Sequence, residues 1–132
     1  MKGVFFIISR DPGVNDWYLN WQQLKQMAAA GHEIGSHTHD HENLQELTPG
    51  QIKFQLEHSK TILEKQLGQK IISLCFPFGS FDSRVLEVAR KNYSFARTTQ
   101  ESEILNFSKK WQLPTVRVGP EDDRSLLEKL FL

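Results

Sequence analysis

Short apolar runs alternate with segments of helical periodicity along the chain, and this alternation restricts the fold more than any other feature. Residues 4–8, 32–36, 71–76, 94–98 and 115–118 are predicted strands. The first run contains only β-branched and aromatic residues, which predicts a strand buried on both faces. Strands that alternate with helices favour an α/β fold, in which helices cover parallel strands and ligands bind at the carboxyl ends of the strands.

Capping residues mark where the helices begin. Asn20 with Gln23, and Thr48 with Gln51, have the spacing of a capping box, which satisfies two backbone N–H groups at a helix start. We therefore predict one helix after Asn20 and a second after Thr48. A third helix is predicted after Asp82 or Ser83, and a fourth over residues 123–132.

The charge balance argues against nucleic-acid and membrane partners. Sixteen Lys and Arg residues balance sixteen Asp and Glu residues, and no cluster of like charge is present to bind a phosphate backbone or an anionic membrane.

A chain of 132 residues fits a single domain over residues 1–132. The lone cysteine, Cys75, belongs to an apolar run and is expected to be a small buried residue rather than a nucleophile.

Three of the five histidines lie within residues 37–41, which read His37-Thr38-His39-Asp40-His41. Neutral imidazole is a strong ligand for zinc and similar divalent ions. Two histidines four residues apart can direct both rings at one ion, although a catalytic zinc normally has three protein ligands and an open position for water. The alternative interpretation is a polar loop whose histidines bind nothing, because short motifs also occur by chance.

Residues 27–41, MAAAGHEIGSHTHDH, resemble the second motif of the polysaccharide deacetylases, the NodB-homology proteins of carbohydrate esterase family 4. By this resemblance His37 and His41 are two of three ligands of a divalent metal ion, zinc foremost, and Thr38 braces the loop. The family implies an α/β fold, a partial or distorted (β/α) barrel. It also implies a hydrolase that removes N- or O-acetyl groups from a polysaccharide such as an N-acetylglucosamine polymer, so carbohydrate is the expected partner.

Residues 75–82, CFPFGSFD, resemble the third motif of the same family, a turn of aromatic, proline, aromatic and glycine residues after a strand. This resemblance implies that Pro77, Phe78 and Gly79 line the sugar groove, with the backbone N–H of Phe78 directed at the oxyanion. Such a donor can lower a reaction barrier by about 3 kcal/mol. Taken alone, the segment would be an ordinary turn, since proline and glycine occur in most loops.

Other family residues have no match in this chain. Family members carry a Thr-Phe-Asp-Asp-Gly segment ahead of the strand that matches residues 4–8, and its aspartates are the general base and the third metal ligand. The general-acid histidine has no match either, so no catalytic residue is assigned. Loss of an N-terminal portion, with the first strand or strands of the barrel, would explain these gaps. Such an incomplete domain is expected to self-associate or to need a complementing chain.

Three hypotheses therefore stay open on the sequence. The first is an incomplete deacetylase, and the second is a non-catalytic carbohydrate-binding module or one completed by a partner. The third is a metal enzyme of another class that uses Asp11 or Asp82 as its third ligand, although both are more often turn or cap residues. Asp40 is a poorer choice because its neighbours direct it elsewhere.

The first residues of the chain lack the long apolar core of a signal peptide. As written the chain would be cytoplasmic, but members of the resembled family are often exported or associated with the cell envelope, so its location stays open.

Overall fold

A computed structural model describes residues 2–101 and 113–115. Strands and helices alternate as predicted, and the predicted fourth helix lies outside the described residues. In chain order the elements are β1 (Val4–Ile7), α1 (Trp21–Ala29), β2 (Glu33–Ser36), a 3₁₀ turn (Leu44–Glu46), α2 (Pro49–Lys53), a π-helical turn (Phe54–His58), α3 (Ser59–Leu67), β3 (Ser73–Cys75), a second 3₁₀ turn (Pro77–Gly79), α4 (Ser83–Asn92), β4 (Phe95–Glu101) and β5 (Leu113–Thr115).

The five strands form one parallel sheet in the order β1-β2-β3-β4-β5. Each strand lies beside the strand that precedes it in sequence, which is the arrangement of a (β/α) barrel wall. Within the described residues the sheet does not close, and β1 and β5 are its edges. The predicted last strand begins two residues early, at Leu113, and residues 116–118 lie outside the described part.

β1 is more exposed than the sequence predicted. Val4 is 48% exposed and Phe5 is 40% exposed, so the prediction of burial on both faces is wrong for the described residues. The reason is that β1 pairs only with β2 in this part of the chain, and its other side has no neighbouring strand. An apolar run shows that a strand can be buried, whereas the neighbouring elements determine how much of it is buried.

The hydrophobic core lies between the helices and one face of the sheet. Alternate residues of the central strands point into it, and Ile34, Leu74 and Ala96 are at most 1% exposed. Burial of one leucine or isoleucine side chain contributes about 1.5–3 kcal/mol, so this layer anchors the strands whose ends carry the histidine and proline motifs. The other buried apolar residues are Leu24, Leu44, Ile52, Leu56, Leu63, Ile71, Phe76, Val85, Ala89 and Tyr93.

Both predicted capping boxes are present. Asn20 Oδ1 accepts a hydrogen bond from the Gln23 N–H at 2.9 Å, and Gln23 Oε1 accepts one from the Asn20 N–H at 2.8 Å. Thr48 and Gln51 form the same reciprocal pair at the start of α2. The π-helical turn between α2 and α3 was not predicted, because an extra residue in a helical turn leaves little trace in a hydrophobic period. No helix of the described residues is long and apolar enough to cross a membrane.

Candidate functional site

The candidate site lies where β2 and β3 end. We call residues 37–41 the histidine loop and Pro77–Gly79 the phenylalanine turn. The first follows β2 and the second follows β3, and because the strands are parallel and adjacent, both lie at the same edge of the sheet. The rings of His41 and Phe78 are 4.9 Å apart between centroids. The structure therefore brings together the two segments that the sequence singled out.

His37 is held by the backbone of both neighbouring strands. Its N–H donates to the Ile7 carbonyl at 2.8 Å, and its ring Nδ1 lies 2.8 Å from the Cys75 carbonyl oxygen. A carbonyl oxygen can only accept, so Nδ1 carries the proton, and Nε2 of the neutral ring keeps its lone pair. A backbone carbonyl on one ring nitrogen is the usual support of a histidine that binds metal through the other nitrogen.

The surroundings of His37 also favour its neutral form. Burial lowers the pKa of His37, and proximity to His41 lowers it further, whereas the hydrogen bond to Cys75 acts in the opposite direction. Only a neutral imidazole can be a ligand, because the protonated ring has no free lone pair. The site thus holds His37 in the protonation state that metal binding requires.

His41 completes a pair of imidazoles. The ring centroids of His37 and His41 are 4.7 Å apart with an interplanar angle of 66°. Two imidazoles that bind one zinc ion at ~2.0–2.1 Å with near-tetrahedral geometry have ring centres roughly 5 Å apart. The separation therefore fits a shared ion, and the chemistry of the two donors fits zinc or a similar divalent metal.

Non-glycine residues with left-handed backbone are concentrated at this site. Thr38, His41 and Phe78 have φ values of +69°, +59° and +58°, and they are the non-glycine residues with positive φ among those described. Such conformations cost about 1–3 kcal/mol each and persist only where the surroundings impose them. Positive φ is least expected for a β-branched residue such as Thr38.

Side-chain hydroxyl groups impose the conformation of the histidine loop. Thr38 Oγ1 accepts a hydrogen bond from the His41 N–H at 3.1 Å, and Ser36 Oγ accepts one from the Thr38 N–H at 3.1 Å. The Ser36 hydroxyl is bonded in turn to the Ser59 hydroxyl of α3 at 2.8 Å. Thr38 is completely buried, so these bonds form away from solvent. The expected bracing role of Thr38 has a direct geometric basis here.

The phenylalanine turn is held differently. Pro77 is buried, whereas the Phe78 ring is 63% exposed. The Gly79 N–H donates to the Phe76 carbonyl at 2.9 Å, and the Ser80 N–H donates to the Pro77 carbonyl at 3.1 Å. Backbone bonds thus close the turn and present an aromatic ring to solvent beside His41.

The three aspartates considered as ligands have other partners. Asp82 caps α4, accepting hydrogen bonds from the Arg84 and Val85 N–H groups, and its contact with the Arg84 side chain lowers the pKa of its carboxyl group. Asp40 bonds to Gln55 at 2.8 Å and to Arg10 at 3.2 Å, so its carboxylate is engaged by other side chains. Capping a helix is a usual role of aspartate, and it accounts for Asp82.

Asp11 shares a cavity with His37. It is 8% exposed, and with His37 it lines a cavity of about 280 Å³. Its carboxylate accepts a hydrogen bond from Arg10 Nε at 3.2 Å. The same cavity is lined by Trp17, which is 93% exposed, and by Tyr18. Neither aromatic residue was singled out in the sequence, because single exposed aromatics in a loop have no periodic signal.

Within residues 2–101 and 113–115, no three His, Cys, Asp or Glu side chains are grouped so that they could hold a metal ion. His37 and His41 are therefore two candidate metal donors, and the described residues offer no third beside them. Cys75 was expected to be buried and is half-buried. Burial raises the pKa of its thiol, which disfavours the nucleophilic thiolate form.

His58 lies beside the histidine loop, although it belongs to the π-helical turn. It is half-buried, stacks on Phe54 with 4.7 Å between ring centroids, and lies 4.8 Å from the ring of His39. Phe54 and His58 are four residues apart in the helical segment, a spacing that brings side chains together on one helix face. The contact with His39 joins residues that are far apart in sequence, and no sequence pattern indicates it.

Comparison with known proteins agrees with this geometry. The polysaccharide deacetylase family model matches residues 1–94. The chain belongs to this family. The protein YxkH of Bacillus subtilis, assigned to the polysaccharide deacetylases, is 31% identical over 121 residues, which are 91% of this chain and 43% of YxkH.

Solved structures show the same fold. The deacetylase PplD of Streptococcus pyogenes, determined in complex with acetate, superposes with a TM-score of 0.90 and 26% identity, over 97% of this chain and 57% of PplD. BA3943 of Bacillus anthracis, a pseudoenzyme of the same carbohydrate esterase family, has a TM-score of 0.62 and 27% identity over 72% of this chain and 32% of BA3943. A mutant of BA3943 has restored enzymatic activity.

These comparisons confirm the predicted fold class. The described residues form a partial (β/α) barrel of the polysaccharide deacetylase type. This deacetylase-family chain spans less than two thirds of the length of YxkH and of PplD.

Proposed function

We propose that this chain is the metal-binding part of a deacetylase that removes N- or O-acetyl groups from a polysaccharide such as an N-acetylglucosamine polymer. One observation carries the proposal. His37 Nδ1 donates its proton to the Cys75 carbonyl, so the lone pair of Nε2 stays available for a metal ion beside the ring of His41. His37 and His41 are then two ligands of a divalent metal ion, with zinc as the first choice. The sugar partner is a neutral or N-acetylated carbohydrate, consistent with the zero net charge of the chain.

The residues of the chain have separate roles in this proposal. A bound divalent ion would supply Lewis-acid polarisation of the acetyl carbonyl and of a water molecule. His37 is kept neutral and oriented by Cys75, and Thr38 holds the backbone N–H of His41. Outer partners of this kind typically change metal affinity by about 10–100-fold.

We assign Pro77, Phe78 and Gly79 to the substrate groove and the oxyanion contact. The exposed Phe78 ring beside His41 offers a flat apolar face next to the histidine pair, suited to a sugar ring. In this assignment the Phe78 backbone N–H stabilises the oxyanion, a contribution of about 3 kcal/mol for one well-placed donor.

Catalysis also needs a base and an acid, and no residue of this chain is assigned to either role. Without its carboxylate base an enzyme of this type would lose about 10²–10⁴-fold in rate on that contribution alone. We therefore propose that residues 1–132 act as one deacetylase-like domain that is incomplete by itself. A second copy of the chain or a complementing chain would be its protein partner, and nucleic acid and membranes would not be partners.

A non-catalytic carbohydrate-binding or partner-completing module is the second candidate. Two observations favour it: the described residues offer no third metal ligand, and the similar protein BA3943 is a pseudoenzyme. In this case the groove beside Phe78 would bind sugar without hydrolysis.

Zinc titration by isothermal calorimetry tests the proposed ligands. The wild-type chain should bind one zinc ion, and the His37→Ala, His41→Ala double variant should lose binding, because it removes both donors. The control is the His32→Ala variant, which removes a histidine that contacts Gly3 and Phe5 rather than the histidine loop and should bind zinc as the wild type does. Equal zinc affinity in the wild type and the His37/His41 variant would refute the assignment.

Acetate release separates the two candidate functions. The zinc-loaded chain is mixed with an N-acetylated oligosaccharide, and free acetate and oligosaccharide binding are both measured. Acetate above the level of the His37→Ala, His41→Ala variant supports the deacetylase. Binding without acetate release supports the non-catalytic module.

A further inference from the structure

Gln55 lies outside the candidate site but is bonded directly to its loop. The side chain is 3% exposed and belongs to the π-helical turn. Its Oε1 accepts hydrogen bonds from the N–H groups of His39 and Asp40, at 3.0 and 2.9 Å. Its Nε2 donates to Asp40 Oδ2 at 2.8 Å. One amide group therefore makes three hydrogen bonds to two consecutive residues of the histidine loop.

These bonds complete the hydrogen bonding of the loop backbone. The N–H of His37 bonds to the end of β1, that of Thr38 to Ser36, and that of His41 to Thr38. The remaining two, between the proposed ligands, both bond to Gln55. All five N–H groups of residues 37–41 are thus paired, and a single side-chain oxygen accounts for two of them.

The opposite side of the loop is held by β1. The Thr38 and His39 carbonyls accept hydrogen bonds from the N–H groups of Ser9 and Arg10 at 3.0 and 3.3 Å. The loop is consequently fixed from two directions, by backbone that follows β1 and by Gln55. If Gln55 were removed, the remaining hydrogen bonds from other segments to His39 and Asp40 would come from Ser9 and Arg10, which follow β1.

The π-helical turn presents two neighbouring buried residues to different parts of the molecule. Gln55 and Leu56 are both buried, and successive helical residues point in directions roughly 100° apart. Leu56 packs in the hydrophobic core while Gln55 bonds to residues 39 and 40. π-Helical turns often occur at functional sites.

We propose that Gln55 is a positioning residue that sets the spacing of His37 and His41 for the metal ion. The part of this inference that concerns metal rests on the proposed function, whereas the part that concerns the loop can be tested without metal. Gln55 touches neither histidine ring. It acts by fixing the two residues that separate Thr38 from His41.

The positioning role of Gln55 can be tested by exchanging the hydrogen-bond donor and acceptor between Gln55 and Asp40. In Gln55→Glu the carboxylate can still accept the two N–H bonds, but it cannot donate to Asp40 and places a second negative charge beside it. In the Gln55→Glu, Asp40→Asn double variant, the side-chain amide introduced at position 40 donates to the new carboxylate, so all three hydrogen bonds return, with the direction of the side-chain pair reversed. Asp40→Asn alone and Gln66→Glu are the controls, since Gln66 is an exposed glutamine of α3.

We expect zinc affinity, measured by calorimetry, to fall about 10–100-fold in Gln55→Glu and to return to within about threefold of Asp40→Asn in the double variant. In the metal-free chain, amide hydrogen exchange at residues 39 and 40 should become faster in Gln55→Glu and slow again in the double variant. Gln66→Glu should match the wild type in both measurements.

Three outcomes would overturn the inference. The first is a Gln55→Glu variant that matches Gln66→Glu in zinc affinity and exchange. The second is a double variant as impaired as the single one. The third is that neither Gln55→Glu nor the double variant folds, because the double variant restores the hydrogen bonds and should fold even if the single variant does not. Absence of zinc binding by the wild type would contradict the proposed function, while the exchange measurement would still test Gln55.

Discussion

The histidine loop and the phenylalanine turn meet at the candidate site, and both contain left-handed residues other than glycine, but they are held in different ways. The histidine loop is buried at Thr38, and four of its five backbone N–H groups are bonded to side chains. The phenylalanine turn is closed by its own backbone, and its aromatic ring is largely exposed. The difference fits the proposed roles, since a metal ligand needs a fixed position, whereas an exposed ring beside a sugar can adjust.

Glycine substitution should separate the two loops most clearly, beginning with Thr38→Gly. Glycine removes a left-handed strain of about 1–2 kcal/mol, but it also deletes the Oγ1 acceptor of the His41 N–H and leaves a cavity. An unpaired buried N–H group costs about 1–3 kcal/mol, and the cavity adds to this. We expect a net loss of about 1–3 kcal/mol in the free energy of unfolding, measured by urea denaturation.

Thr61→Gly is unsuitable as a control because it would disturb a helix, so the control is Thr61→Val. Thr61 is exposed on α3 and bonds to the Glu57 carbonyl, and its replacement should change stability by less than about 0.5 kcal/mol. Unchanged or increased stability in Thr38→Gly would show that the hydroxyl contacts do not hold the histidine loop.

In the phenylalanine turn, by contrast, glycine should stabilise: the free energy of unfolding should be higher in Phe78→Gly than in Phe78→Ala. Both variants lose the ring contact with His41, but only glycine relieves the left-handed conformation. We expect Phe78→Gly to be more stable than Phe78→Ala by about 1 kcal/mol, with urea denaturation as the measurement. Equal stability of the two variants would mean that the turn relaxes around alanine and is not held in this conformation.

The smallest effect concerns pH. Because burial lowers the pKa of His37 below its ordinary value of 6.5, the unfolded chain takes up a proton there at a higher pH than the folded chain does. Stability should therefore decrease as pH falls below about 6.5. His37→Gln should make this decrease shallower when unfolding free energy is measured between neutral and mildly acidic pH. A slope identical to that of the wild type would contradict the burial of a neutral His37.

Much of the fold was predictable because it depends on local signals. The Asn20 and Thr48 capping boxes, the Asp82 cap and the alternation of strands and helices are written in neighbouring residues, and the structure confirms them. Exposure of β1 was predicted wrongly because it depends on which strands lie beside it. The π-helical turn was missed for a related reason, since Gln55 within it bonds to a loop 15 residues away in sequence.

The candidate site likewise contains residues that local motifs predicted and one that they did not. The histidine and proline motifs named His37, His41 and Phe78 in advance, and the structure brings the three rings together. Gln55 gave no signal, because a glutamine one position from an apolar stripe is expected at the surface of a helix. Its burial becomes visible only with the loop that it bonds.

By itself the sequence determined the order of the elements, the helix starts and the family, because capping, periodicity and short motifs act between residues close in the chain. Only the tertiary structure decided which nitrogen of His37 is available, that Thr38 and His41 are left-handed, and that Gln55 holds the loop. These properties depend on groups from different strands and helices. Their positions relative to one another are set by packing of the whole sheet and not by any local pattern.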